Sequence, residues 1–301
     1  MEGLAWIAAD WGTSHLRVWL MRADGVVLDH RRSDAGMGGL ARDGFEPALR
    51  AVLPDLPRGR SLPVVICGMA GSRQGWVEAP YVAVPAKPPA GEDAARAPVG
   101  RDDLTVFILP GMKQAKPADV MRGEETQVAG FMALNPRFDG VICLPGTHSK
   151  WVHVSAGEVV SFRTFLTGEM FALLAGQSVL RHSVAAEGWD DAAFDSAVER
   201  GLTRAAGVAG DLFSLRAEAL LEGLDTVVAR ARLSGLLIGM ELGAARPYWL
   251  GQNVAVLGAS GIAGAYARAL EAQGLPVLMA DADRMTLEGL KAAYQSIKVQ
   301  A

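Results

Sequence analysis

Two short segments of the 301-residue chain share one pattern of residues able to grip phosphate. Asp10-Trp11-Gly12-Thr13-Ser14-His15 follows an apolar run and continues through Leu16–Trp19 to a turn at Gly25. Leu144-Pro145-Gly146-Thr147-His148-Ser149-Lys150-Trp151 follows another apolar run and continues to a turn at Gly157. A glycine followed by a hydroxyl residue at a strand-to-strand turn exposes consecutive backbone N–H groups and a hydroxyl, a nest suited to phosphate oxygens. Gly12, Thr13 and Ser14 form one such candidate, and Gly146, Thr147 and His148 the other, 134 residues further on. That echo suggests two related lobes, each presenting a turn. Asp10 closes the first apolar run, a place for a carboxylate that orients a magnesium-bound water or simply caps the turn. Lys150 either reaches phosphate or is a surface cation on its hairpin.

Three other segments carry candidate chemistry. Arg122-Gly123-Glu124-Glu125 sets two adjacent acids at the start of a helix, where the helix dipole alone favours them. A carboxylate so placed can also take a proton from an attacking hydroxyl. Gly68-Met69-Ala70-Gly71-Ser72-Arg73-Gln74-Gly75-Trp76 follows a buried strand and combines glycines, polar groups and an indole. It suits a ligand bearing hydroxyls and an anion, with Arg73 available for bidentate carboxylate contact. Thr167-Gly168-Glu169 is either a helix cap or the source of a site acid. A rival signal is Gly258-Ala259-Ser260-Gly261-Ile262-Ala263-Gly264, a G-x-x-G-x-x-G run after a strand, with Asp281 ending the next strand. It is a variant of the dinucleotide fingerprint and would fit an NAD(P)-dependent oxidoreductase. Only 18 residues follow Asp283, too few for the further strands of a dinucleotide crevice, whereas such a turn also serves other phosphates and nucleosides.

The elements that must position these residues follow from periodicity and turn signals. Leu4–Ala9, Leu16–Met21 and Val26–His30 predict an antiparallel meander. A helix over Phe45–Leu53, strands over Pro63–Cys67 and Thr105–Leu109, and a helix over Glu124–Leu134 come next. The proline-rich stretch 83–100 predicts an excursion outside the core. Gly140–Thr167 is strand-rich. Helices are expected over Glu169–Leu174, Ala192–Leu202, Asp211–Leu221 and Thr226–Ala245. A strand-helix-strand-helix unit closes the chain: Val254–Leu257, Ile262–Ala272, Pro276–Ala280 and Leu287–Ile297.

Composition excludes several classes. Half the residues are hydrophobic and 21% charged, enough for a sizeable core, and the formal net charge is −4 with no basic stripe among 23 Arg and 6 Lys. A nonspecific grip on nucleic acid is not expected. No apolar run reaches membrane-spanning length, and Glu2 stands where a signal peptide wants basic charge, so a cytoplasmic protein with no membrane partner is expected. Cys67 and Cys143 each end an apolar run and read as reduced core residues. The five histidines form no zinc-binding spacing.

Taken together, Asp10–Thr13, Gly68–Trp76, Asp119–Gln127, Leu144–Trp151, Phe162–Thr164 with Thr167–Glu169, and Leu233–Gly239 run in order along a chain that closely resembles the 2-dehydro-3-deoxygalactonokinase family of the sugar kinase and actin superfamily. The resemblance implies an α/β fold of two ribonuclease-H-like (actin-like ATPase) lobes, each a mixed sheet flanked by helices, with the active site in the interlobe cleft. The lobes are expected over 1–128, with the first phosphate turn and the sugar-acid loop, and 129–301, with the second phosphate turn and an adenosine turn. The implied reaction moves the ATP γ-phosphate to the 6-hydroxyl of 2-dehydro-3-deoxy-D-galactonate, with the gluconate epimer as an alternative acceptor. ATP and Mg2+ are the implied cofactors, and a homodimer is compatible with the family. Asp10 would steer Mg2+ through water, and the two Gly-Thr turns, with Ser14, His148 and Lys150, would hold phosphate. Glu124 or Glu125 would be the base. Ser72, Arg73, Gln74, Trp76, Arg122 and Glu169 would hold the sugar acid, and Gly258, Ala259, Ser260 and Gly261 the adenosine.

Overall fold

The computed structural model describes residues 3–56 and 59–300, which leaves Glu2 outside it. The chain forms two units: residues 1–138, 155–161 and 282–301, and residues 139–154 and 162–281. Residues 129–138 and the last helix thus group with the first unit, unlike a single cut at 128/129.

In the first unit β1 (Leu4–Trp11), β2 (Leu16–Arg22) and β3 (Val27–Ser33) form the antiparallel meander. Helix α1 (Phe45–Val52) leads to β4 (Leu62–Gly68), β5 (Tyr81–Ala83), β6 (Ala95–Ala97) and β7 (Leu104–Ile108). Then come β8 (Gly111–Gln114), β9 (Asp119–Met121) and α2 (Glu124–Leu134). The main sheet has the order β3-β2-β1-β4-β7-β6, with β4 parallel to both β1 and β7. The proline-rich stretch is not wholly peripheral: β6 pairs antiparallel with β7 and buries Ala97. A small sheet β5-β8-β9 carries the chain into α2. Strands of three or four residues have no measurable periodicity, so this sheet left no trace in the hydrophobic pattern.

The second unit repeats the plan. Strands β10 (Gly140–Leu144), β11 (Ser149–Ser155) and β12 (Glu158–Phe165) are followed by helices α3 (Thr167–Gln177), α4 (Asp191–Thr203), α5 (Val208–Leu221), α6 (Thr226–Ala244) and α7 (Arg246–Trp249). Strand β13 (Val254–Gly258), helix α8 (Ser260–Glu271) and strand β14 (Val277–Asp281) complete it. Its sheet order is β12-β11-β10-β13-β14, with β10 antiparallel to β11 and parallel to β13, as β1 is to β2 and β4. Both units therefore have the expected ribonuclease-H-like sheet: a meander followed by parallel strands added beside its first strand.

Helix α9 (Ala282–Gln300) returns to the first unit, where Leu290, Ala293 and Tyr294 cover a sheet face containing Trp6, Ala8, Val65 and Cys67. Trp6 and Tyr294 stack with centroids 4.1 Å apart. Helices α2 and α9 meet backbone to backbone: a β-carbon on Gly130 would fall 1.9 Å from Met285 O, and one on Gly289 2.0 Å from Thr126 O. In the second unit α6 is buried along most of its length and packs on α4 by the same device, at Gly201, Gly235 and Gly239. Cys67 and Cys143 are free and fully buried, as expected.

Candidate active site

The carboxyl ends of the parallel strands carry the candidate residues of both units, the edge where α/β sheets bind ligands. A polar depression of about 900 Å³ lined by Arg50, Arg60, Arg101 and Asp103 lies at the opposite edge, beside the first residues of β4 and β7.

In the first unit the sheet register builds the site. Asp10 pairs with Arg17 across the hairpin and with Cys67 on the other side. Arg17 consequently donates to Asp10 Oδ2, and its other terminal nitrogen donates to Asp283 in the first turn of α9. The Cys67 thiol points at Asp10 Oδ1, 3.6 Å away, while burial pushes that thiol's pKa well up. The turn after Asp10 is braced: Gly12 N–H donates to His15 O at 2.9 Å, and Met37 and Gly38 N–H groups donate to the Gly12 and Thr13 carbonyls. Thr13 and Ser14 are left exposed at the tip. Beside them Gly68 has φ +89°, and a β-carbon there would lie 2.6 Å from Trp11 O, so only glycine lets β4 end against β1.

Gly123, with φ +109°, turns the chain into α2. The two acids that follow are unlike. Glu125 is 1% exposed, and both of its carboxyl oxygens accept from Gly123 N–H at 2.8 Å. Burial, reinforced by the neighbouring Glu124 charge, raises its pKa to about 8 despite these hydrogen bonds. Desolvation thus outweighs the helix-terminus preference for an anion, which amounts to about 1 kcal/mol. Glu124 is half-buried and accepts from Arg122 N–H at 3.1 Å. The Arg122 guanidinium lies 4.2 Å over the Tyr81 ring and donates to Ala79 O at 2.8 Å. Its Nη1 and the Ser72 hydroxyl are buried with no partner among the described residues.

The remaining loop residues divide. Arg73 is 83% exposed and 3.7 Å from Glu78, and Gln74 is exposed. Trp76, expected to shape a ligand pocket, is 3% exposed and packs against Trp11 and Phe45, its indole N–H donating to Pro98 O. Its aromatic bulk places it in the core, where it supports the loop from behind.

In the second unit the turn Gly146–His148 occupies the equivalent place. Leu144 stands where Asp10 does in the first unit, so a carboxylate before the turn is confined to that unit. Lys150 pairs with Leu144 as Arg17 pairs with Asp10, and it is 3% exposed, which excludes the surface-cation reading. Glu169 places its carboxylate 2.6 Å from the His148 ring, and its N–H donates to Thr147 O at 2.9 Å. Behind the turn lies a buried carboxylate that the sequence reading did not single out, Glu241 of α6, which accepts from Trp151, Thr167 and Tyr266. It sits inside an apolar helical run, and no local pattern marks it. Burial raises its pKa, and the three donors oppose that shift.

Next to this turn is a cavity of about 860 Å³, within the size range of small-molecule sites. Of the four residues expected to hold adenosine, Gly261 lines it. Gly258 ends β13 beneath Ala263, and Ala259 is the helix cap of α8. The rest of the wall comes from Gly146, Thr167 and Gly168, from Phe171 with Arg230 5.0 Å over its ring, from residues 186–189, and from Ser234, Leu237 and Ile238 of α6. The Leu233–Gly239 segment was the available signal for that wall. Gly261 and Gly264 lie inside α8 rather than in a loop, and one strand follows it, an arrangement without a dinucleotide crevice.

The family model described as 2-keto-3-deoxy-galactonokinase matches residues 10–293. A Rhizobium meliloti (strain 1021) protein named probable 2-dehydro-3-deoxygalactonokinase DgoK1 is 44% identical over 299 residues, 96% of each chain. The 2-dehydro-3-deoxygalactonokinase of Escherichia coli (strain K12) is 35% identical, covering 97% of this chain and 98% of the other. A Sinorhizobium meliloti crystal structure bearing the 2-dehydro-3-deoxygalactonokinase name superposes with a TM-score of 0.87 at 41% identity, over 97% of this chain and 96% of that one. These matches support no oxidoreductase reading of the Gly258–Gly264 turn. Among the described residues no helix is long and apolar enough to cross a membrane.

Proposed function

The chain belongs to the 2-keto-3-deoxy-galactonokinase family, and from that premise we propose that it transfers the γ-phosphate of ATP to the 6-hydroxyl of 2-dehydro-3-deoxy-D-galactonate, giving the 6-phosphate and ADP in D-galactonate breakdown. The observation that carries this reading is the family match from Asp10, at the first turn, to within α9. Phosphoryl transfer through a loose transition state asks a protein mainly for positioning and charge neutralisation. The residues present fit that demand.

In the first unit, the exposed backbone N–H groups and hydroxyls of Thr13 and Ser14 bind phosphate, while Gly12, whose own N–H is taken by His15 O, shapes the turn that presents them. Asp10, a single carboxylate at a strand end whose Oδ2 already accepts from Arg17, would suit a magnesium ion held through water rather than directly. Mg2+ would supply neutralisation of phosphate charge. Glu124, the half-buried member of the acid pair, accepts the proton of the attacking hydroxyl. Glu125, neutral below pH 8 and folded onto Gly123, fixes the turn that presents Glu124. Arg122 and Ser72 hold the sugar-acid carboxylate and hydroxyls, and Arg73 and Gln74 form the exposed rim. In the second unit Gly146–His148 binds phosphate, Lys150 and Glu169 support that turn, and the cavity walled by α6 and α8 takes adenosine.

The test is coupled ADP release with magnesium ATP against a panel of 2-keto-3-deoxy sugar acids. The galactonate compound is expected to give the highest kcat/KM. Preference for the gluconate epimer would reassign the acceptor, and no turnover with any member would overturn the reading.

A further inference from the structure

The carboxylate of Glu241 is 2% exposed, deep in the second unit, and its partners come from three different elements. Trp151 of β11 donates to Oε1 at 2.8 Å, Tyr266 of α8 donates to Oε2 at 2.6 Å, and the Thr167 hydroxyl at the start of α3 donates to Oε2. The Ser149 and Tyr266 hydroxyls are 2.8 Å apart and extend the network. The three partners and Ser149 are themselves buried. A carboxylate taken this far from water is costly even when fully hydrogen-bonded, and an apolar side chain of the same size commonly serves stability as well or better. Its presence calls for a role in geometry.

The network's position supplies one. Ser149 and Trp151 begin the strand that leaves the Gly146–His148 turn, so Glu241 holds one flank of that turn through β11. Thr167 begins the helix that packs against the turn from the other side. A β-carbon on Gly168 would fall 2.2 Å from Gly146 O, and Glu169 N–H donates to Thr147 O. Both flanks of one turn are thus tied to a single buried side chain. Tyr266 and Thr167 also reach the 860 Å³ cavity, so the same carboxylate fixes two of its walls.

We propose that Glu241 is a positioning residue for the nucleotide: without touching it, Glu241 holds the second phosphate turn and the adjoining cavity wall in their binding geometry. This rests on the reading that the second unit takes ATP. A role confined to stability would weaken both substrates alike through loss of folded protein. A positioning role affects the nucleotide alone.

The test is calorimetric titration of the whole protein with ADP and, separately, with the sugar acid, on variants shown to be folded by circular dichroism. Glu241→Leu keeps the bulk and removes the acceptors; it is expected to weaken ADP binding about tenfold or more and to leave the sugar acid within twofold of wild type. Glu241→Gln, whose amide retains one acceptor and can donate to the Thr167 and Tyr266 hydroxyls, is expected to restore most of the ADP affinity. Should Glu241→Leu fail to fold, Trp151→Phe removes one tie without altering a cavity-lining residue, and ADP binding weakened about threefold supports the proposal. ADP binding within twofold of wild type in folded Glu241→Leu, or in Trp151→Phe where the Leu variant does not fold, overturns it, as do equal losses for both ligands. A wild-type protein that bound no ADP would overturn the nucleotide reading itself, and the proposal with it.

Discussion

Glu124 and Glu125 are neighbours in sequence, and one residue of helical rotation gives them opposite environments. The buried Glu125 binds a proton more tightly in the folded protein than in the unfolded chain, with a pKa raised from 4.5 to about 8. Between those two values the folded state holds the extra proton. The stability it contributes is therefore complete below pH 4.5 and lost as pH rises toward 8, by an amount on the order of a few kcal/mol. Glu125→Gln, which has nothing to ionise, should melt progressively higher than wild type as pH is raised from 5 to 8; parallel melting curves for the two proteins would contradict the burial argument. Glu124→Gln should instead lower kcat by about 10² to 10⁴ with little change in ADP affinity, measured by coupled ADP release, and near-normal turnover would remove it as the base. At this scale the sequence was a partial guide. It was enough to put Asp10, the two Gly-Thr turns and the acid pair at strand ends and a helix start, because adjacent residues on short turns stay together whatever the tertiary fold does. It could not separate Glu124 from Glu125, foresee that Trp76 and Lys150 are buried, or find Glu241, since each outcome depends on what packs against the residue from distant parts of the chain.

The elements show where long periodic segments were readable and where they were not. The α2 boundaries were legible at both ends, from the Gly123-Glu124 start and from Pro136 just past the close. The β1–β2 and β10–β11 hairpins were legible from alternation and turn residues. Invisible were the β5-β8-β9 sheet, whose strands are too short to carry a period, and β6, whose alanines and proline-rich surroundings resemble a loop. The glycines of α6 have a meaning that only packing discloses. A β-carbon on Gly239 would lie 2.2 Å from Val198 O of α4, closer than any side chain tolerates. Gly239→Ala should therefore push the two helices apart and destabilise the protein by about 1–3 kcal/mol, although alanine is the better helix former by about 1 kcal/mol. Denaturant unfolding measures the balance, and a stabilised variant would show that the contact yields easily.

For the whole molecule, the sheet echo is the most informative relation: one plan, two copies, and a carboxylate before the turn in the first copy where the second has Leu144. The copies also differ in how they use the chain. Deletion of residues 282–301 removes α9 from the first unit and uncovers the face formed by Trp6, Ala8, Trp19, Met21 and Val65. Such a truncated protein is expected to bind a hydrophobic dye strongly and to precipitate on warming; a soluble, dye-silent product would mean that α9 is dispensable to that core. The helix that completes the first unit is thus translated only after the second unit. At about 5–20 residues per second, a ribosome that has finished residue 138 needs roughly 10 to 30 s more to complete α9. For that interval the nascent chain carries an uncovered tryptophan-lined sheet face while the second unit is being made, which is when a holding chaperone would be of most use to it.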